Sequence, residues 1–193
     1  MRALVVYGTT EGQTRKIAEQ ISDWLRDIRF ATLTVNSEVM PDEFNPAGFD
    51  VYILAGSLHS GKHQPSLVRF VKKNRDILWG APSAFISVSM TASRTDEASL
   101  ARAQTCIDSF IHDTGWMPKA TKPIGGALLY TKYNFFIRWI MKKISAKEGG
   151  PTDTSRDYEF TDWKALETFI HDFLTDQGLL RGVDDNVLAH TSP

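Results

Sequence analysis

Cysteine is almost absent: Cys106 stands alone in 193 residues, so no intramolecular disulfide can brace the fold. Its isolation fits a reducing compartment. Excess charge is absent too. Lys and Arg number 22 against 23 Asp and Glu, a net charge of −1, which excludes a bulk pull toward nucleic acid or an anionic surface. Any such attraction must come from a local cluster. Long apolar runs are missing. None reaches the roughly 18–20 residues of a spanning helix. The amino-terminal Leu4-Val5-Val6-Tyr7 is too short for a signal-peptide core and reads as a strand.

Several phosphate-handling signatures are missing as well. No Gly-x-x-x-x-Gly-Lys-Ser/Thr occurs, which removes a nucleoside-triphosphate loop. No Gly-x-Gly-x-x-Gly follows the first strand, which argues against a dinucleotide site. A phosphoacceptor receiver needs acids where the first and third strands end. Gly8-Thr9 and Gly56-Ser57 stand there instead.

What is present is an alternation of strand and helix patterns. Apolar β-rich runs at 2–7, 31–35, 49–55, 83–88 and 120–129 alternate with helical periodicities at 13–28, 64–78, 96–112 and 163–174. Five strands with crossovers of this length predict a doubly wound α/β sandwich with a parallel sheet. Ligands of such sheets bind beyond the carboxyl ends of the strands, at the switch point. That singles out 8–14, 56–63, 87–93 and the region after Leu129. Residues 130–151 are an insertion, and 176–193 are a polar tail, mobile or loosely docked.

The first loop, Thr9-Thr10-Glu11-Gly12-Gln13-Thr14, hands a strand over to a helix. A helix start offers unpaired N–H groups and partial positive charge, which suit a phosphate. Thr9, Thr10 and Thr14 add hydroxyls, and Gly12 permits close approach. Capping by Thr9 or Thr10 is the plainer account, but capping needs one threonine, not three around a glycine. The insertion segment "YTKYNFFIRWIMKKISAK" carries Lys132, Arg138, Lys142, Lys143 and Lys147 with no acid. Drawn as a helix, it puts Tyr133, Phe136, Ile137, Ile140, Met141 and Ile144 on a broad apolar face, widened by Phe135 and Trp139. Asn134, Arg138, Lys142 and Ser145 make a narrow polar stripe. This is the composition of an interfacial membrane helix. Packing on the protein's own core and a dimer interface are the alternatives.

His59 and His63, four apart, have the spacing of helical metal ligands, but no third ligand is evident and Gly61 disfavours a helix. No metal is expected. His112 and His171 fall in helical patterns and read as structural. Cys106 reads as a buried small apolar residue.

The first loop resembles the FMN-phosphate loop of flavodoxins, Thr/Ser-x-Thr-Gly-x-Thr, and departs from it at Glu11. A carboxylate cannot donate to phosphate, so Glu11 is expected to face solvent or to offer only its N–H. "EGQTRKIA", "FVKKNRDIL", "PSAFISVSM", "IGGALLY" and above all "GGPTDTSRDYEFTDW" resemble segments of the flavodoxin-like, quinone-dependent protoporphyrinogen oxidases, from about residue 2 to 174. The resemblance implies a flavodoxin-like FMN domain over 1–175, with the FMN phosphate on residues 9–14. It implies that the flavin ring lies between Ser57, Leu58, His59 and Gly61 on one side and Ser87, Val88, Ser89, Met90, Thr91 and Ala92 on the other. Leu58, His59 and Met90 would lie against its faces. The loop Thr152-Asp153 would return to the flavin, with Asp153 accepting a flavin N–H; an Asx turn is the other reading. Chemistry at flavin N5 needs no catalytic side chain. The implied substrate is protoporphyrinogen IX and the acceptor menaquinone or ubiquinone. Lys62, Lys132 or Arg138 would attract the propionates. Membrane or quinone contact falls to Phe135, Phe136, Arg138, Trp139, Ile140, Lys142 and Lys143, and the expected location is cytoplasmic, on the inner face of the cell membrane. The rivals are a flavodoxin-like electron carrier, an FMN-dependent quinone reductase without a porphyrinogen substrate, and a membrane-associated FMN-binding module.

Overall fold

Along Arg2–Gly8 (β1) successive side chains part to opposite faces: Leu4 and Val6 to one, Ala3, Val5 and Tyr7 to the other. Both sets are buried, so the sheet is covered on both sides, as a parallel sheet must be. The computed structural model describes residues 1–59, 61–147 and 149–180. After β1 come α1 (Gln13–Asp27), β2 (Ala31–Asn36), β3 (Val51–His59), β4 (Lys62–His63), α2 (Pro65–Lys73) and α3 (Arg75–Trp79). Then follow β5 (Ser83–Ser89), α4 (Glu97–Thr114), β6 (Ala120–Gly125), β7 (Ala127–Leu128), α5 (Phe135–Lys147), β8 (Tyr158–Glu159) and α6 (Trp163–Asp176).

Five strands form the expected parallel sheet, in the order β2-β1-β3-β5-β6. One face is covered by Ile17, Ile21 and Leu25 of α1 and by Leu166, Ile170 and Phe173 of α6. The other is covered by Leu67, Phe70, Leu78, Ile107 and Phe110 of α2, α3 and α4. Burying each such side chain fully contributes about 1.5–3 kcal/mol. Phe85 and Phe110 stack at 4.2 Å with Trp116 edge-on to both. The order reverses at β1 and β3, whose ends lie in register: Gly8 beside Gly56, and Gly56 beside Ser87. That carboxyl edge is the switch point.

Three elements depart from expectation, and the start of the tail takes the docked alternative. The helix over 64–78 is two helices meeting at Asn74, whose Nδ2 donates to the Phe70 carbonyl at 2.9 Å. The third strand runs on to His59 because β4 pairs back on it. The fifth stops at Gly125; Ala127–Leu128 leaves the sheet and pairs with β8. The tail is docked through Leu180: Leu179 and Leu180 pack on the core, and Leu179 N–H bonds the Leu174 carbonyl at 2.9 Å. Its remainder, 181–193, lies outside the described residues.

Candidate functional site

Gly12 opens α1 in the left-handed region, φ 101°, and no side chain caps the helix. The Gly12 N–H bonds Thr9 Oγ1 at 2.9 Å. The helix ladder begins with Lys16 N–H to the Gly12 carbonyl. The amides of Gln13, Thr14 and Arg15 therefore have no acceptor within the helix, and its positive end faces the loop. Thr14 Oγ1 is buried without a hydrogen-bond partner among the described residues. A threonine cap is thus not what this loop makes. An orphan buried hydroxyl beside unpaired amides fits an anion with several acceptor oxygens, as a flavin phosphate is.

Two side chains of the loop behave unlike expectation. Gln13 turns away: its Nε2 donates to Thr161 Oγ1 at 2.9 Å and Glu159 Oε1 at 3.1 Å, which leaves only its backbone toward the loop. The Glu11 carboxylate does not point freely into solvent, which leaves its backbone N–H as what it can offer the loop. Its Oε2 accepts the Tyr133 hydroxyl at 2.5 Å. Burial and this carboxylate push the Tyr133 phenol well above its ordinary pKa. The pattern gave no sign of Gln64. It lies buried beneath the edge, donating to Ser57 Oγ at 2.5 Å and Thr10 Oγ1 at 3.2 Å. A Cβ at Gly8 would fall 3.0 Å from Gln64 Oε1, so the glycine makes room for it.

The two expected ring loops flank this edge. Leu58 is half-buried and His59 exposed, on the hairpin of β3 with β4, which turns at Gly61, φ 78°. His59 and His63 therefore do not share a helix turn. Among the described residues no group of three or more His, Cys, Asp or Glu is arranged for a metal. His63 points inward, packs edge-on against Phe85 and Phe110, and bonds Ser87 Oγ at 3.0 Å. Burial lowers its pKa to about 4. Ser87 is thus occupied inside the core and Val88 is buried in the core on the α1–α6 face, so the side chains of both are turned from the loop. Ser89 Oγ accepts the Ala92 N–H at 3.1 Å, shaping the turn Thr91–Ser93. Asp153 makes the Asx turn: Ser155 N–H and hydroxyl hold its carboxyl below the usual range, at 3.0 and 2.6 Å. Thr152 is exposed beside it. His112 and His171 are exposed on α4 and α6, and Cys106 is half-buried, not enclosed.

The insertion packs inside out relative to a core helix. Ser145, from the polar stripe, is buried and donates to the Pro151 carbonyl at 2.8 Å. Arg138, half-buried, donates to the Tyr133 carbonyl at 3.0 Å. Phe135, Phe136, Trp139 and Ile144 are 85%, 66%, 49% and 50% exposed. Ile140 and Met141 are half-buried, and Lys142 and Lys143 exposed. Lys143 Nζ lies 4.0 Å from the Trp139 ring centre. The insertion's own core, Leu128, Tyr130 and Tyr133, takes in Met90 and Met141. Between α5 and Met90–Asp96 lies a cleft of about 870 Å³, floored by Met90, Leu128, Met141 and Phe160 and edged by Arg94 and Arg102. Of the three cations expected to draw propionates, Arg138 is engaged, Lys132 lies over Gly12, and Lys62 is on β4; none of the three lines this cleft.

The Flavodoxin domain family model matches residues 4–155. The chain is 30% identical to "Protoporphyrinogen IX dehydrogenase [quinone]" of Escherichia coli K12 over 94% of its own length and 100% of the relative's. The chain belongs to this flavodoxin-like dehydrogenase family. A relative of the same name from Leishmania major is 30% identical over 89% of this chain and 74% of its own. Oxidised Flavodoxin 1 from Bacillus cereus superposes with a TM-score of 0.53 at 14% identity, covering 91% of this chain and 98% of that one. That likeness shows the fold. Family membership makes the chain an FMN-binding oxidoreductase, and the orphan Thr14 hydroxyl at the α1 start fits the cofactor's phosphate.

Proposed function

We propose that this protein oxidises protoporphyrinogen IX to protoporphyrin IX and passes the electrons to a quinone at a membrane surface. The names of its relatives support substrate and acceptor. The observation that carries the reading is α5, which turns aromatic residues outward beside a cleft that opens onto the Met90 turn. FMN, when bound, supplies acceptance of electron pairs from a reduced carbon donor and their return to a quinone.

The protein's share is binding and orientation. Thr9, Thr10, Gly12 and Thr14 would hold the phosphate through hydroxyls and amides, with Glu11 and Gln13 contributing backbone only. Ser57, Leu58, His59 and Gly61 would line one side of the ring, and Met90, Thr91 and Ala92 the other, with Ser87, Val88 and Ser89 contributing backbone at the strand end. The cleft has an apolar floor for a tetrapyrrole. Arg102, which gives one donor to Ser99 Oγ at 2.8 Å, keeps others for a propionate. Phe135, Phe136 and Trp139 would enter the lipid interface with Lys142 and Lys143 at the headgroups. The site would work on the inner face of the cell membrane.

The test is a steady-state assay of the FMN-loaded protein with protoporphyrinogen IX and either a menaquinone or a ubiquinone analogue under anaerobic conditions. Quinone-dependent appearance of porphyrin fluorescence is expected. An electron carrier or a plain quinone reductase would produce none.

A further inference from the structure

The charges around the phosphate loop do not balance within the loop. A flavin phosphate carries about −1.5 to −2 at neutral pH, and Glu11 adds a carboxylate to the same turn. The α1 terminus supplies roughly half a positive charge. The two cations next in sequence are spent elsewhere: Arg15 pairs with Glu19 at 2.7 Å and Lys16 with Glu159 at 2.6 Å. One further ammonium reaches the loop. A Cβ placed on Gly12 would lie 3.9 Å from Lys132 Nζ. Lys132 makes no ion pair with any described residue.

The origin of this lysine is held on both sides. Tyr130 gives its hydroxyl to the Pro151 carbonyl at 2.8 Å. Thr131 N–H and hydroxyl both bond Asp157, at 2.9 and 2.8 Å. Lys132 N–H bonds the Leu129 carbonyl at 2.9 Å, and Tyr133 closes on Glu11. With the backbone anchored this way, only the lysine side chain itself remains to be ordered when its ammonium meets an anion.

From this geometry we propose that Lys132, a residue of the insertion, is the phosphate's counter-cation. The Tyr133–Glu11 bond then does two things. It removes the loop's carboxylate from the cradle and docks the insertion where Lys132 reaches it. Glu11 thereby turns from a repulsive group into the anchor of the attractive one. The insertion completes the cofactor site, so phosphate binding and insertion docking favour each other reciprocally. This rests on FMN as the cofactor.

Riboflavin, which lacks the phosphate, separates this role from packing. FMN and riboflavin affinities of the full chain, of Lys132→Met and of Lys132→Arg are measured by quenching of flavin fluorescence at several NaCl concentrations. Lys132→Met is expected to weaken FMN about tenfold, the size of one solvent-edge charge-assisted contact, with riboflavin unchanged within about twofold. Its FMN affinity is expected to depend less on salt, and Lys132→Arg to retain most of the preference. An unchanged preference overturns the proposal. So does a parallel loss of both ligands, which marks a packing role. If the unmutated protein binds no flavin, the cofactor reading fails first, before any variant is compared.

Discussion

His63 is a neutral imidazole held among Phe85, Phe110 and the Ser87 hydroxyl. Burial lowers its pKa from 6.5 to about 4. Between those values the unfolded chain binds a proton that the folded chain refuses, so stability rises with pH. The contribution is complete above pH 6.5 and lost as pH falls toward 4; at about 1.4 kcal/mol per pH unit it is roughly 3 kcal/mol. The thermal midpoint is therefore expected to fall between pH 6.5 and 4, and to fall less in His63→Gln, which keeps a partner for Ser87 without titrating. Parallel falls in the two proteins would place the acid sensitivity elsewhere. Gly125 is a second residue with a sharp consequence. A Cβ there would lie 2.3 Å from the Phe160 carbonyl oxygen, a backbone atom that cannot rotate aside. Gly125→Ala is expected to cost on the order of 3 kcal/mol in urea unfolding. Gly80→Ala, whose nearest neighbour is at 3.7 Å, should cost next to nothing. Equal midpoints for the two would contradict the clash.

The same approach of Phe160 to Gly125 explains what a pattern-based reading can and cannot see at the level of elements. The apolar runs of β1, β3 and β5 are unmistakable because both faces of each are buried. The long amphipathic helices α1, α4 and α6 follow from period alone. β4, β7 and β8 are two residues each, too short to carry a period, and exist only through their partners. The break after Gly125 is set by a backbone contact with residue 160, which no local window contains. At the candidate site, the threonine-glycine loop was legible because strand end, glycine and helix start are adjacent in sequence. The Gln64–Thr10 contact, Lys132 and the Glu11 partner were not, since the Gln64–Thr10 and Tyr133–Glu11 bonds span 54 and 122 residues. Composition identified α5 as amphipathic, but only its packing shows that Ser145 and Arg138 of the polar stripe turn inward while Asn134 and Lys142 stay exposed.

Across the whole molecule a net charge of −1 conceals a segregated surface. Residues 130–147 carry five basic side chains and no acid, and α5 exposes Phe135, Phe136 and Trp139 beside Lys142 and Lys143. Among the described residues no helix is long and apolar enough to cross a membrane. If this face meets a lipid surface, as proposed, two forces with different signatures would act there. Each basic residue near an anionic surface contributes about 1 kcal/mol, screened by salt. Each buried aromatic contributes roughly 1.5–3 kcal/mol, indifferent to salt. Cosedimentation with phosphatidylcholine vesicles, with and without phosphatidylserine, separates them. Binding is expected to be tighter with phosphatidylserine and to weaken, not vanish, in 0.5 M salt (about three times the ionic strength usually called physiological). The triple substitution Phe135→Ser, Phe136→Ser, Trp139→Ser should lower the partition at least about tenfold in both salts. Phe135 and Phe136 are mostly in water and Trp139 about half, so the thermal midpoint should change little. Equal partition of the two proteins, or no partition of either, would remove the membrane from the proposed function and leave α5 exposed for another reason.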